Sequence, residues 1–321
     1  MHFLENILGK DNTFWKYIIT FVGAFLVANF IGAIPLLIVI FVQIFKTGNG
    51  LSPEMLQKLD FSGIGISENL VLLLMLMPFA LGLLAAVLFV KQLHKRSFSE
   101  TINGTNKIRW NRILMGFSVW FALMLIYLAI SYIVTPENFV IQFNIKTFIP
   151  LFFIAIFLIP LQTTFEEFLF RGYLAQGIGA WTKNRWLVVF IPAILFGLMH
   201  FANTEVSTYG FWEAMPQYIL FGLIFGFFSV LDDGIELAIG MHAANNIFAC
   251  LFVTFDASSI KTPAIFQQQA MNIRIETISL LLIGLLVFFF FAKIYKWNFS
   301  IMNRKIEPNT AELAPLTEQN S

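Results

Sequence analysis

Charge is what this sequence has least of. Only 12% of its 321 residues are Asp, Glu, Lys or Arg, against about 25% in soluble domains. Hydrophobic residues make up 58%, and the mean hydropathy is +0.77. An ordinary water-soluble domain is excluded, and the chain reads as an integral membrane protein. One cysteine, Cys250, rules out a disulfide within the chain, and a lone thiol in an apolar run reads as packing. A net charge of +1 excludes the concentrated basic surface that nucleic acid requires. The opening "MHFLENILGKDNTFWK" lacks the basic, apolar, small-residue order of a cleavable signal. The first hydrophobic segment therefore reads as both address and anchor. No internal repeat, heptad pattern or glycine-rich phosphate loop is present, and neither GxSxG nor HExxH occurs.

What is there is a series of long apolar runs. Crossing about 30 Å of hydrocarbon takes roughly 20 helical residues. Runs of that order fall at 14–44, 69–93, 112–135, 147–180, 186–204, 215–231, 235–254 and 276–297. The expected fold is all-α, a polytopic bundle of about eight transmembrane helices, with Gly32 and Pro35 bending the first. Lys91, Lys95, Arg96, Lys107, Arg109 and Arg112 crowd one connection, Lys183 and Arg185 another, and Lys293, Lys296, Arg304 and Lys305 the C-terminal end. The opposite connections hold only Lys46, Lys58, Lys146, Lys261 and Arg274. This bias places both termini in the cytoplasm of a cell membrane, the bacterial plasma membrane being the expected one.

Trp181, Trp186 and Trp297 are expected at interfacial heights. The chain divides into N-terminal helices and loops (1–145), a core (146–255), a last transmembrane helix (256–303) and a polar tail (304–321) expected to be disordered. Residues 46–68 read as an irregular external loop. "NGT" at 103–105 matches a glycosylation sequon but falls in an expected cytoplasmic loop.

Three charges lie where charge is costly. "LQTTFEEFLFRGYL" (161–174) follows the oily "TFIPLFFIAIFLIP" and contains Glu166, Glu167 and Arg171. A charge at the bilayer centre costs about 2.5–3.5 kcal/mol on insertion scales. Glu167 and Arg171 are four apart, share a helix face and can neutralise each other. Glu166 points about 100° away, so the same guanidinium cannot easily serve it, and it reads as a functional group. Two of the four histidines, His200 and His242, fall inside expected spans. Phe196 precedes His200 by one turn, and Asn246 follows His242 by one turn. Asn245 reads as helix-packing glue. Counted along the helix axes, these groups can share one pocket open to the cytoplasm.

A carboxylate, two imidazoles and an amide suit water activation. Glutamate can take a proton from water as general base, while histidine and asparagine N–H groups can stabilise the oxyanion on an attacked carbonyl. Glu166, His200 and His242 can equally form a His2Glu set holding one divalent metal, Zn2+ above all. A metal-free glutamate mechanism is equally allowed.

The motifs "EEFLFR" (166–171), "FGLMH" (196–200) and "HAANN" (242–246) together resemble EExxxR, FxxxH and HxxxN. These mark the CPBP intramembrane proteases, the CAAX protease and bacteriocin-processing (Abi) family. The resemblance covers roughly residues 148–252. It implies an eight-helix bundle with an intramembrane catalytic chamber reached from the cytoplasmic side. It further implies that Glu166 activates water, that His200 positions it, and that His242 and Asn246 stabilise the tetrahedral intermediate. Glu167, Arg171 and Phe196 are then supports. The implied partners are the lipid bilayer and a membrane-bound or lipidated peptide or protein. Two other readings stay open from the residues alone: a non-catalytic immunity protein against a bacteriocin, and a proton-coupled transporter.

Overall fold

The computed structural model describes residues 1–259 and 261–308. Most of the polar tail, residues 309–321, lies outside the described residues. Eight main helices succeed one another: α1 (Phe14–Thr47), α2 (Glu68–His94), α3 (Trp110–Val134), α4 (Ile145–Thr182), α5 (Arg185–Leu198), α6 (Phe211–Leu231), α7 (Glu236–Phe252) and α8 (Ile273–Tyr295). Polar residues between the apolar runs start several of them. Ser67 caps α2, and Asn144, Asn184 and Asn272 cap α4, α5 and α8, each accepting a hydrogen bond from a first-turn N–H.

Among the described residues, six helices are long and apolar enough to cross a membrane, so the protein is a polytopic all-α membrane protein. The expected count of eight needs a correction of detail. α5 has 14 residues and α7 has 17, reaching about 21 and 26 Å, short of a full hydrocarbon thickness. Where Gly32 and Pro35 are expected to bend α1, the helix holds a wide π turn over Val27–Gly32. A Cβ on Gly32 would sit 2.5 Å from Cα of Pro78, so glycine there lets the bend close on α2.

Residues 1–7 and 304–306 lie at one end of the bundle. Phe3, Leu4 and Ile7 are buried there, and Asp233 accepts the backbone N–H groups of His2 and Phe3. Arg185 pairs with Glu5 and donates to the Arg304 carbonyl, while Ile306 donates to the Lys183 carbonyl. The expected tail therefore starts later than 304, because Ile306 is packed into the core. Trp181 and Trp186 are partly exposed at this end. Trp297 lies at the same end but is buried, where its indole donates to Asp232. Asn103 of the sequon is buried against Glu236 and the Lys107 carbonyl.

The opposite end carries the short strands β1 (Phe139–Ile141), β2 (Val253–Phe255) and β3 (Phe266–Gln268). They form a mixed sheet in the order β1-β3-β2. Residues 46–68 are more ordered than expected: they hold helix Pro53–Lys58 and a 3-10 turn, with Phe61, Ile64 and Ile66 buried on Ile40 and Val71.

α7 is pressed into the bundle by glycine. A Cβ on Gly240 would meet the Ile113 carbonyl oxygen at 2.0 Å, and one on Gly116 would meet that of Leu237 at 2.6 Å. α3 and α7 thus touch backbone to backbone, the small-residue packing of membrane helices. Gly240→Val should force them apart and cost about 1–3 kcal/mol. Thermal unfolding in detergent checks this, and an unchanged transition would contradict the close approach.

Candidate active site

α4 and α7 supply most of the site, and the turn after α5 completes it. Directly after Glu167, α4 widens into a π segment, Phe168–Leu174, a local form often found at functional sites. Arg171 lies in it. Glu167 and Arg171 are 0% and 1% exposed, with Arg171 donating to Glu167 Oε1 at 3.0 Å. The sequence-based pairing of these two is therefore present. The guanidinium also lies 4.0 Å over the Phe196 ring, a cation–π contact strengthened by desolvation.

Glu167 has a second partner. Its Oε1 accepts from His242 Nδ1 at 2.7 Å. This fixes the imidazole with Nδ1 protonated and turns Nε2 towards Glu166 Oε2, 3.6 Å away. The other Glu166 oxygen, Oε1, accepts from Gln162 Nε2 at 2.7 Å. Asn246 Nδ2 donates to Gln162 Oε1 at 3.0 Å, so the motif asparagine is joined to Glu166 through this amide. Glu166 and Asn246 are half-buried and His242 is buried.

Phe196 gathers the remaining parts. Its ring centroid is 6.1 Å from that of His242 and 4.6 Å from that of His200. His200 Nδ1 meets the Phe196 carbonyl at 2.7 Å, and its ring stacks on Tyr218 at 4.6 Å. Asn203 donates to the Tyr218 hydroxyl at 3.0 Å. His200 is not inside a span, as expected from sequence; α5 ends at Leu198, and His200 sits in the following turn. Towards the end of the bundle that holds residues 1–7 and 304–306, Arg171 and Phe3 line one small cavity with Val188, Val189 and Ser229.

Among the described residues, no group of three His, Cys, Asp or Glu side chains is arranged to hold a metal ion. Glu166 and His242 approach each other, and with Nδ1 of His242 on Glu167 and Nδ1 of His200 on a carbonyl, Nε2 of both rings is left open, as in metal-binding histidines. Glu166, His200 and His242 are not gathered into one ligand set, however, and no step below runs through a metal.

Three contributors escaped the sequence reading. Gln162, buried one turn before Glu166, was legible in principle as a lone amide in an oily helix. Tyr218 and Trp120 lie in helices without a motif, where an aromatic residue reads as core. Asn245 accepts from Trp120 Nε1 at 3.3 Å, in keeping with its packing role.

Fold and site together define a polytopic α-helical membrane protein with a glutamate–histidine–asparagine cluster enclosed by its own bundle. A family model described as type II CAAX prenyl endopeptidase Rce1-like matches residues 145–248. The uncharacterized protein YyaK of Bacillus subtilis (strain 168) is 33% identical over 257 residues, which is 78% of this chain and 82% of that protein. No solved structure matches. The chain belongs to the Rce1-like CAAX protease family, within the CPBP group, a family of intramembrane proteases.

Proposed function

We propose that the protein is an intramembrane endopeptidase that hydrolyses a peptide bond of a membrane-associated or lipidated substrate with water activated by Glu166. One observation carries this: Glu166 Oε2 faces His242 Nε2 at 3.6 Å, beside a buried ion pair that orients the imidazole. That separation is too long for a direct hydrogen bond and leaves both atoms within reach of one water.

In this reading Glu166 Oε2 takes a proton as the water oxygen bonds to the scissile carbonyl carbon. The remaining Nδ2 hydrogen of Asn246 stabilises the oxyanion. The proton passes from Glu166 to His242 Nε2 and on to the leaving amine as the C–N bond breaks. Glu167 holds the imidazole and Arg171 holds Glu167, the role of a third group behind a catalytic histidine. His200, clamped between Phe196 and Tyr218, presents Nε2 to the water or the carbonyl. Substrate selection falls to the helices and short loops around the cluster, which suits an extended or lipid-anchored segment. The positive side of the bundle, with both chain ends, faces the cytoplasm of a bacterial plasma membrane.

Quantitative proteomics of membrane peptides, comparing wild type with Glu166→Ala, tests the function. A cleavage product present in the first and absent from the second is expected. Identical peptide profiles, with the variant inserted and folded, would reject the reading.

A further inference from the structure

A line of hydrogen bonds runs from α3 through α7 to Glu166. Trp120 Nε1 donates to Asn245 Oδ1 at 3.3 Å, and Asn245 Nδ2 to Asn246 Oδ1 at 3.1 Å. Asn246 Nδ2 donates to Gln162 Oε1 at 3.0 Å, and Gln162 Nε2 to Glu166 Oε1 at 2.7 Å. The direction of every link is dictated by chemistry. An indole N–H can only donate, so Asn245 must turn its oxygen to Trp120 and its NH2 onward. Each later amide then has one orientation left, and the last can only donate to the carboxylate. Trp120 is 0% exposed and Gln162 7%, so water competes little at the indole and at the amide next to Glu166. Such chains polarise one another, and a link onto an ionised acceptor is about twice as strong as a neutral one.

We propose that Trp120, Asn245 and Gln162 are positioning residues that act in series through Asn246 to hold Glu166 Oε1 as an acceptor, committing Oε2 to proton transfer. Neither oxygen is distinguished by covalent structure. The amide series distinguishes them, and its far end is an indole in a helix that carries none of the motifs. The consequence for catalysis rests on the hydrolase reading above; the series itself does not.

The test reads the indole directly. The full chain, with tryptophan 15N-labelled at the indole nitrogen and placed in lipid nanodiscs, gives indole cross-peaks from seven tryptophans. Trp120→Phe identifies the one that matters. Glu166→Gln removes the charge at the end of the series and should move the Trp120 peak upfield. In a Gln162→Leu background the same change should leave it still, because the connecting link is cut. The other six peaks report an intact fold, and Asn246→Leu supplies a second cut if Gln162→Leu disturbs them. A Trp120 peak that ignores Glu166→Gln, or that shifts equally in the cut background, would overturn the proposal. A chain without peptidase activity would still show the coupling, so the series and the hydrolase reading fail separately.

Discussion

Glu166→Gln should lower peptide hydrolysis by about 10²- to 10⁴-fold, the usual contribution of a positioned general acid–base group. The substitution keeps size and shape, and its amide oxygen can still accept from Gln162, so the fold is expected to survive. What it removes is a carboxylate oxygen able to take a proton 3.6 Å from His242 Nε2. Initial rates on the substrate found by proteomics check this at equal amounts of folded protein. A fall of less than about tenfold would place the base elsewhere.

The second large effect is on stability. Arg171→Leu leaves the Glu167 carboxyl at 0% exposure with only His242 beside it. Breaking a buried ion pair by removing one member costs about 3–5 kcal/mol, whereas replacing both by apolar groups is often neutral. Glu167→Leu combined with Arg171→Leu should therefore recover much of the folded protein lost in Arg171→Leu alone. It should remain inactive, because the imidazole of His242 has lost its orienting carboxylate. Thermal unfolding in detergent, set beside activity, separates the two roles. If the double variant were less stable than the single by the full cost of a second substitution, the pair would not be acting as a unit.

The site was legible in the sequence because charge is rare and lipid penalises it. Glu167 and Arg171 pair at the spacing that a single helix face requires, and Glu166 points elsewhere, as its 100° offset demands. His242 and Asn246 one turn apart on α7 could be placed for the same reason. The end of α5 at Leu198 was not legible, since the apolar run continues through Met199, His200 and Phe201 without a breaker. Residue type did not reveal that the Trp297 indole is buried on the Asp232 carboxylate, since that depends on which segments meet at the bundle end. Residues 46–68 looked irregular because their structure is short and held by burial of Phe61, Ile64 and Ile66 rather than by periodicity. The backbone contact of Gly116 with α7 and the amide series from Trp120 depend on which helices are neighbours, which no local pattern encodes.

Everything proposed for this site turns on water, activated by Glu166, attacking the peptide carbonyl inside the bundle. Cleavage in 18O-labelled water by the purified protein in liposomes, followed by mass spectrometry of the new carboxyl terminus, tests it most directly. One water-derived oxygen is expected in the wild-type product, with about 10²- to 10⁴-fold less product from folded Glu166→Gln. Label-bearing product from that variant at the wild-type rate would contradict it.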